Sequence, residues 1–273
     1  MNLHKPLFEL LFLGTGTSTG VPMIGCDCPV CTSPDPRNRR LRSSLYLRMG
    51  DIALLLDTST DLREQAITHN IRQVDAVLFT HAHADHVFGL DDLRRFNTLQ
   101  QNQVIPAYAV PEAAAEIRRV FSYLFQSCQH GLYRARVDLR DVEAPFRVAR
   151  LGCEPELDAP LVTPVDVVHG DGRTIGYRID FGGCSLGYAP DCVTLPEEAA
   201  AAFHGVDVMV IDSLRYRPHQ THMHVEASLE AIGRIAPARA FLTHLCHEID
   251  HATLAAALPQ HVQPAYDGLR LRL

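Results

Sequence analysis

Residues 74–89 read VDAVLFTHAHADHVFG, and their interpretation decides the fold. Val74, Ala76, Val77, Leu78 and Phe79 form a short apolar run, the pattern of a buried strand. Thr80 follows, then His81-Ala82-His83-Ala84-Asp85-His86, an H-x-H-x-D-H cluster. Imidazole nitrogens and a carboxylate are ligand types for zinc, manganese or iron. These donors leave one strand together, with only alanine methyls between them. On a tight turn, His81 and His83 can grip one ion while Asp85 and His86 reach a second. A single histidine at a strand end is ordinarily a solvated polar residue, but close convergence of this many donors has no such explanation.

Downstream, three further ligand types stand at the ends of apolar strands. His169 closes Val165-Asp166-Val167-Val168, and Asp191 follows Gly187-Tyr188-Ala189-Pro190. His244 follows Phe241-Leu242-Thr243, repeating the Thr-His order of Thr80-His81. Asp57 ends Leu54-Leu55-Leu56, where a carboxylate can orient a metal-bound histidine from behind.

Upstream, Phe8 to Leu13 reads as a strand running into GTGTSTGVP, residues 14–22. This loop lacks the Lys-Ser/Thr of a phosphate-binding P-loop and no helix pattern follows, so glycine tolerance of positive φ is its expected role. Cys26-Asp27-Cys28-Pro29-Val30-Cys31 is a C-x-C-x-x-C cluster. Thiolates this close can share one tetrahedral zinc, but three leave the site open. Either a fourth ligand comes from elsewhere, or the cysteines are redox-active or incidental. The basic run Asn38 to Ser44 is expected to be a solvated face, with a phosphate clamp as the alternative.

The chain has 273 residues, of which 47% are hydrophobic, enough for one large domain spanning 1–273. No apolar run is long enough to span a bilayer. MNLHKPLFELLFLG carries a Glu inside its apolar stretch and no small-residue cleavage site, so it is not read as a signal peptide. A cytoplasmic protein is expected. Of eight Cys, three cluster and five are scattered, as in a reducing compartment. A net charge of −7 argues against a broad nucleic-acid surface, which needs a basic stripe. It leaves room for a small anionic substrate, since metal ions and local arginines can supply positive charge.

Further elements read as strands over Ser44–Arg48, Ile52–Leu56, Phe146–Leu151, Leu161–Val168, Thr174–Asp180, Cys184–Tyr188, Val206–Ile211 and Ala238–Leu242. Helices are expected over Asp61–Asn70, Leu90–Gln101, Pro111–Gln126, Leu195–Phe203 and Val225–Ile235, the last with Glu226, Glu230 and Arg234 outside. Cys128 to Val142 has no clear pattern. Strands then helices, repeated in the second half, suit two sheets packed face to face with helices outside.

The H-x-H-x-D-H cluster, followed in order by His169, Asp191 and His244, resembles the signature of the metallo-β-lactamase superfamily. That implies an α/β fold, the αββα sandwich with two mixed sheets. The resemblance assigns His81, His83 and His169 to one ion, Asp85, His86 and His244 to a second, and Asp191 to a bridge. Two divalent ions, Mn or Zn, roughly 3.5–4 Å apart can share a hydroxide and lower its pKa to about 7. A bridging carboxylate suits harder metals and phosphoester chemistry; the lactamases carry Cys there, and Cys192 lies next door.

C-x-C-x-x-C after the first strand, with His244-Leu245-Cys246-His247 near the end, is similar to the phosphoribosyl cyclic phosphate phosphodiesterase family. That resemblance gives Cys26, Cys28, Cys31 and His247 a separate structural zinc, with Cys246 as a competing ligand. It also implies a catalytic histidine at His222, within Pro218-His219-Gln220-Thr221-His222-Met223-His224. His224 is the runner-up and could instead belong to a capping turn; His219 is expected to be exposed. His4, His69, His130, His204, His251 and His261 have no partner pattern.

The expected function is a dinuclear metal-dependent phosphodiesterase hydrolysing a small cyclic phosphodiester, with His222 protonating the leaving oxygen. Arginines of 38–44, or Arg215 and Arg217, are the candidates to hold remaining anionic groups. The expected partner is a small anionic phosphodiester, without membrane or nucleic acid; a homodimer is left open. Two alternatives stand beside it: an RNA-processing endonuclease of the tRNA 3′-end type, and an accessory protein of pyrroloquinoline quinone biosynthesis.

Overall fold

The computed structural model describes residues 8–126 and 133–273. His4 and His130, and Cys128 with its neighbours, lie outside the described residues. One sheet is built from β1 (Phe8–Gly14), β2 (Ser44–Met49), β3 (Ile52–Leu56), β4 (Ala76–Leu78), β5 (Ile105–Ala109) and β6 (Val137–Asp141). The other contains β7 (Phe146–Arg147), β8 (Leu161–His169), β9 (Gly172–Phe181), β10 (Cys184–Ala189), β11 (Val208–Asp212), β12 (Arg239–Thr243) and β13 (Val262–Pro264). The last strand, β14 (Arg270–Arg272), returns to the first sheet beside β1, giving the order β14-β1-β2-β3-β4-β5-β6. The second sheet runs in the order β13-β12-β11-β10-β9-β8-β7. Each is mixed: antiparallel from β1 to β3 and from β7 to β10, parallel from β3 to β6 and from β10 to β13.

Side-chain alternation explains the packing. In β11, Val208 and Val210 join the core between the sheets, while Met209 and Ile211 join a second core beneath helices. In β12, Phe241 faces inward and Ala240 and Leu242 outward. Strands buried on both faces read as continuous apolar runs. The helices are α1 (Leu62–Thr68), α2 (Ala84–Val87), α3 (Leu93–Leu99), α4 (Pro111–Val120), α5 (Ser122–Phe125), α6 (Glu197–Phe203), α7 (Val225–Ile235) and α8 (His251–Ala257). Leu62, Phe96 and Ile117 place α1, α3 and α4 against the first sheet. On α7, Ser228, Ala231, Ile232 and Ile235 form the buried stripe at helical spacing. Leu78, fully buried in β4, illustrates the energetics: truncation to Ala would cost ~2–5 kcal/mol.

Several sequence expectations shift. The helix expected over Pro111–Gln126 is two, broken at Phe121. The strand expected over Phe146–Leu151 is only Phe146–Arg147. The unassigned stretch before Val142 contains β6, which pairs in parallel with β5. β5 itself was hidden by Pro106, which lacks the N–H a ladder uses. No helix among the described residues is long and apolar enough to cross a membrane.

Candidate metal centre

β3 and β4 are parallel, and so are β8, β10, β11 and β12. Their carboxyl ends deliver Asp57, His81, His169, Asp191, Asp212 and His244. β4 ends three residues before His81, and the one-turn helix α2 then carries Asp85 and His86. Two backbone positions at this edge adopt positive φ without glycine: Asp57 at 60° and His244 at 59°. Held strain of this kind is characteristic of functional sites.

The ligand atoms of His81, His83, His169 and Asp191 all lie within 4.8 Å of one another, as do those of Asp85, His86, Asp191 and His244. His83 Nδ1 lies 2.9 Å from His81 Nε2 and 3.3 Å from His169 Nε2. Asp191 sits between the two groups. Its Oδ2 is 3.4 Å from His81 Nε2 and 3.1 Å from His86 Nε2, and its Oδ1 is 3.1 Å from His244 Nε2. Asp85 Oδ2 lies 3.4 Å from His86 Nε2 and 3.6 Å from His244 Nε2. His86 Nε2, His244 Nε2 and Asp191 Oδ1 are buried without hydrogen-bond partners. Buried polar atoms are normally satisfied, and orphaned nitrogens and a carboxylate aimed at one point are donors that divalent cations satisfy. The residues fit such ions.

Groups behind these donors fix ring orientation. Asp57 Oδ2 is 2.9 Å from His86 Nδ1, while its Oδ1 accepts the Thr80 N–H at 2.8 Å. His169 Nδ1 donates to Thr221 O at 2.8 Å, which leaves Nε2 as the lone-pair donor. Burial, with His86 adding to it, holds His81 well below the usual imidazole range, the neutral form a ligand needs. Burial also opposes charge on His86, but Asp191, Asp85 and Asp57 outweigh it and push that imidazole up. Burial disfavours ionised Asp191 too, yet His244 and His86 hold its carboxyl well below the usual range.

His222 lies beside the cradle, its ring stacked on His244 at 4.6 Å and 15°. Its Nδ1 donates to Asp212 Oδ2 at 2.8 Å, so Nε2 is the atom free to exchange a proton with a bound molecule. Burial lowers the His222 pKa, and burial pushes the Asp212 carboxyl up. No sequence motif marks Asp212; only the fold brings the end of β11 beneath His222. His224 is the N-cap residue of α7, where its carbonyl accepts Ser228 N–H at 2.9 Å, and it does not line the cleft. His219 is half-buried with its ring 5.3 Å from His222, so it is not the exposed residue expected. Cys192 points away into the apolar layer under α6 and α7.

The cleft over the cradle has a volume of about 600 Å³. Ser18 enters it from the loop after β1, Glu112 and Glu116 from α4, and Arg173 from the β8–β9 hairpin. The arginines expected to bind anions are elsewhere. Arg40 is 1% exposed and spans Cys246 O and Ile249 O. Arg42 pairs with Asp61, and Arg215 and Arg217 face Glu248. Within the run 38–44 only Arg39 is exposed and no residue lines the cleft, so the stretch as a whole is neither the solvated face nor the clamp; its buried Arg40 braces the turn that follows His244. Among the described residues, Arg173 is the arginine that lines the cleft. Gly14 is required by close approach rather than by φ: a Cβ there would stand 2.0 Å from Arg42 O.

Cys26, Cys28, Cys31 and His247 form a separate group within 4.8 Å. Cys26 Sγ and Cys28 Sγ lie 3.3 and 3.5 Å from His247 Nδ1. Zinc bonds of ~2.3 Å to sulfur and ~2.0–2.1 Å to nitrogen give a tetrahedral S···N edge of ~3.5 Å, so these residues fit that ion. The Cys31 backbone N–H, and then His247, lower the Cys28 thiol to about 6. Cys246 is buried and stands outside this group.

Comparison with known proteins agrees with this architecture. The family described as the beta-lactamase superfamily domain matches residues 53–245. A crystal structure of a diphosphatase from the PhnP family superposes with a TM-score of 0.86 and 34% identity, covering 97% of this chain and 98% of that one. An octanoyltransferase of Porphyromonas gingivalis is 34% identical over 95% of this chain; the chain spans about half, 50%, of that relative's length. The coenzyme PQQ synthesis protein B of Methylobacterium nodulans is 27% identical, covering 75% of this chain and 72% of its own. Divalent metal ions are the cofactors this fold implies. The chain belongs to the β-lactamase superfamily, and its fold is similar to that of a PhnP-family diphosphatase.

Proposed function

We propose that the chain, acting as one domain, hydrolyses a small phosphodiester, with a cyclic diester as the preferred form. The observation that carries this is the pairing of a seven-donor cradle, shared at Asp191, with the His222–Asp212 dyad on its rim. Bound in the cradle, two divalent cations, Mn or Zn, would supply an activated water and neutralise phosphoryl charge. The residues do the rest. Asp57 and Thr221 O hold His86 and His169 in the tautomers that present Nε2. His222 Nε2 delivers a proton to the departing oxygen, and Asp212 holds that ring in place and supports its positive charge. Cys26, Cys28, Cys31 and His247 would hold a structural zinc, which would tie the first loop to the turn carrying His244.

The likeness to a PhnP-family diphosphatase favours a second reading, in which the leaving group is a phosphate of a diphosphate linkage. Both readings use the same in-line displacement and the same proton donor. An RNA-processing role is weaker, because Glu112 and Glu116 on the rim would repel a long polyanion. A carrier role in PQQ synthesis is weaker too, because carriage has no use for a proton donor beside the ions.

The test is a substrate panel with metal-loaded protein: bis-p-nitrophenyl phosphate, five-membered cyclic ribose phosphates, cyclic nucleotides and a dinucleoside diphosphate. Turnover of the cyclic esters above the diphosphate supports the first reading, and the reverse order supports the second. Absence of turnover on every diester with both metals bound removes the phosphodiesterase proposal.

A further inference from the structure

A second large concavity, about 690 Å³, lies between α1 and α3 and shares no lining residue with the metal cleft. Helical spacing builds it. On α1, Leu62 and Ala66 form one row and Arg63 and Ile67 the next. On α3, Phe96 and Leu99 lie on the groove side, flanked by Arg94 and Arg95. Ile67 is 59% exposed and Leu99 43%, so among the described residues the apolar floor opens to solvent.

The charge of the groove runs against that of the molecule. In a chain of net charge −7, its lining holds Arg63, Arg72, Arg94 and Arg95 against Asp92 alone. Arg63 and Arg95 are exposed, and neither comes within 4.0 Å of a carboxylate oxygen among the described residues. Arg94 is the exception: it pairs with Asp91 and lies 5.5 Å over the Tyr133 ring. No histidine, serine or threonine lines the groove; beyond the arginines and Asp92 its polar lining is Asn70 and Tyr133, and the floor between them is apolar.

An apolar trough between two helices, with arginines on both walls, has the form of a seat for a third helix. We infer that this groove docks an acidic, amphipathic helix of a partner protein. Apolar side chains at i, i+3/i+4 and i+7 would fill the trough, and Glu or Asp at flanking positions would meet Arg63, Arg72 and Arg95. Both helices of the groove spring from the metal-site loops. α1 follows Asp57 and α3 follows α2, and the two loops are joined where Gly89 N–H donates to Thr58 O at 3.0 Å. A docked partner is thereby placed on the elements that carry Asp57, Asp85 and His86.

The test is a display selection from a library of helical peptides with randomised surface positions. The bait is the metal-loaded chain, with counter-selection on the R63E/R95E/I67S variant. These residues lie outside the metal cleft, so the variant's melting temperature and hydrolytic rate should match wild type and certify its fold. The expected result is enrichment of peptides with carboxylates flanking an i, i+3/i+4, i+7 apolar stripe. The consensus peptide, measured by fluorescence anisotropy, should bind the variant at least tenfold more weakly, and a scrambled peptide of the same composition should lose as much against wild type. Enrichment without that pattern, or equal binding by the scrambled peptide, overturns the inference. Concentration-dependent dimerisation of wild type that the variant abolishes also overturns it, since the occupant is then a second copy.

Discussion

Asp57→Asn isolates the contribution of a residue that touches no ion itself. Asp57 is fully buried and its φ of 60° falls in the left-handed region, which Asn tolerates well. The backbone is therefore not the source of any effect. The new carbonyl oxygen can still accept the Thr80 N–H, now bonded at 2.8 Å. The new amide then faces His86 Nδ1, now 2.9 Å from a carboxylate oxygen. An amide donor there requires Nδ1 as acceptor, which moves the ring proton to Nε2 and blocks the lone pair that faces Asp85 and Asp191. Losing such a supporting partner typically weakens metal binding 10–100-fold, or about 1.4–2.7 kcal/mol. Burial already pushes the Asp57 carboxyl up, so the metal-free variant should fold at least as well as wild type. The assay is competition with a chromophoric chelator on protein stripped and reloaded with Zn or Mn, alongside thermal melts of the metal-free forms. Unchanged affinity for the His86 ion in a variant that folds normally would refute the reasoning.

Other expectations follow from the same geometry. His222→Ala should lower kcat by ~10²–10⁴-fold with full metal content on a substrate with an alkoxide leaving group. The loss should be much smaller with a p-nitrophenolate leaving group, and metal loss would mean that His222 is a ligand. Asp212→Asn should reproduce most of that leaving-group dependence, because it removes the acceptor at 2.8 Å that sets the His222 tautomer. Cys28→Ser should remove one metal equivalent, keep the two in the cradle, and lower Tm; a site worth ~3 kcal/mol corresponds to ~6–12 °C here. His251 adds an acid-sensitive stability term. Burial, then Arg37 and Arg40, lower its pKa from 6.5 to about 4. The unfolded chain thus binds a proton that the folded one refuses, and stability present above pH 6.5 is lost as pH falls towards 4. Denaturant unfolding of His251→Gln should flatten that acid limb relative to wild type, and an unaltered slope would contradict the assignment.

The sequence displayed donors more readily than the groups that position them. His81 to His86 could be read because the ligands are contiguous, and His169, Asp191 and His244 because each ends an apolar run. Asp57 showed itself in the same way. Asp212 also ends an apolar run, but its role and that of Thr221 depend on the loop before α7 meeting β11 and β8, which the sequence does not show. Burial of Arg40 was equally hidden: a basic run looks solvated until the carbonyls of Cys246 and Ile249 are seen to face it, more than 200 positions away. The other cleft walls, Glu112 and Glu116 on α4 and Arg173 at the start of β9, lie outside every motif the sequence offers. β5 and β6 were obscured by Pro106 and by the charges of Val137–Asp141, where edge position replaces apolar patterning.

Everything proposed for catalysis depends on the strand tips gathering two cations around Asp191. Elemental analysis of chelator-free protein, reconstituted with Mn or Zn and compared with Asp191→Ala, measures this most directly. Three metal equivalents per chain in wild type, falling to the single thiolate-held zinc in the variant or to that zinc plus one weakly held ion, is the predicted result. Fewer than two equivalents beyond the thiolate-held one in fully reconstituted wild type would contradict the account.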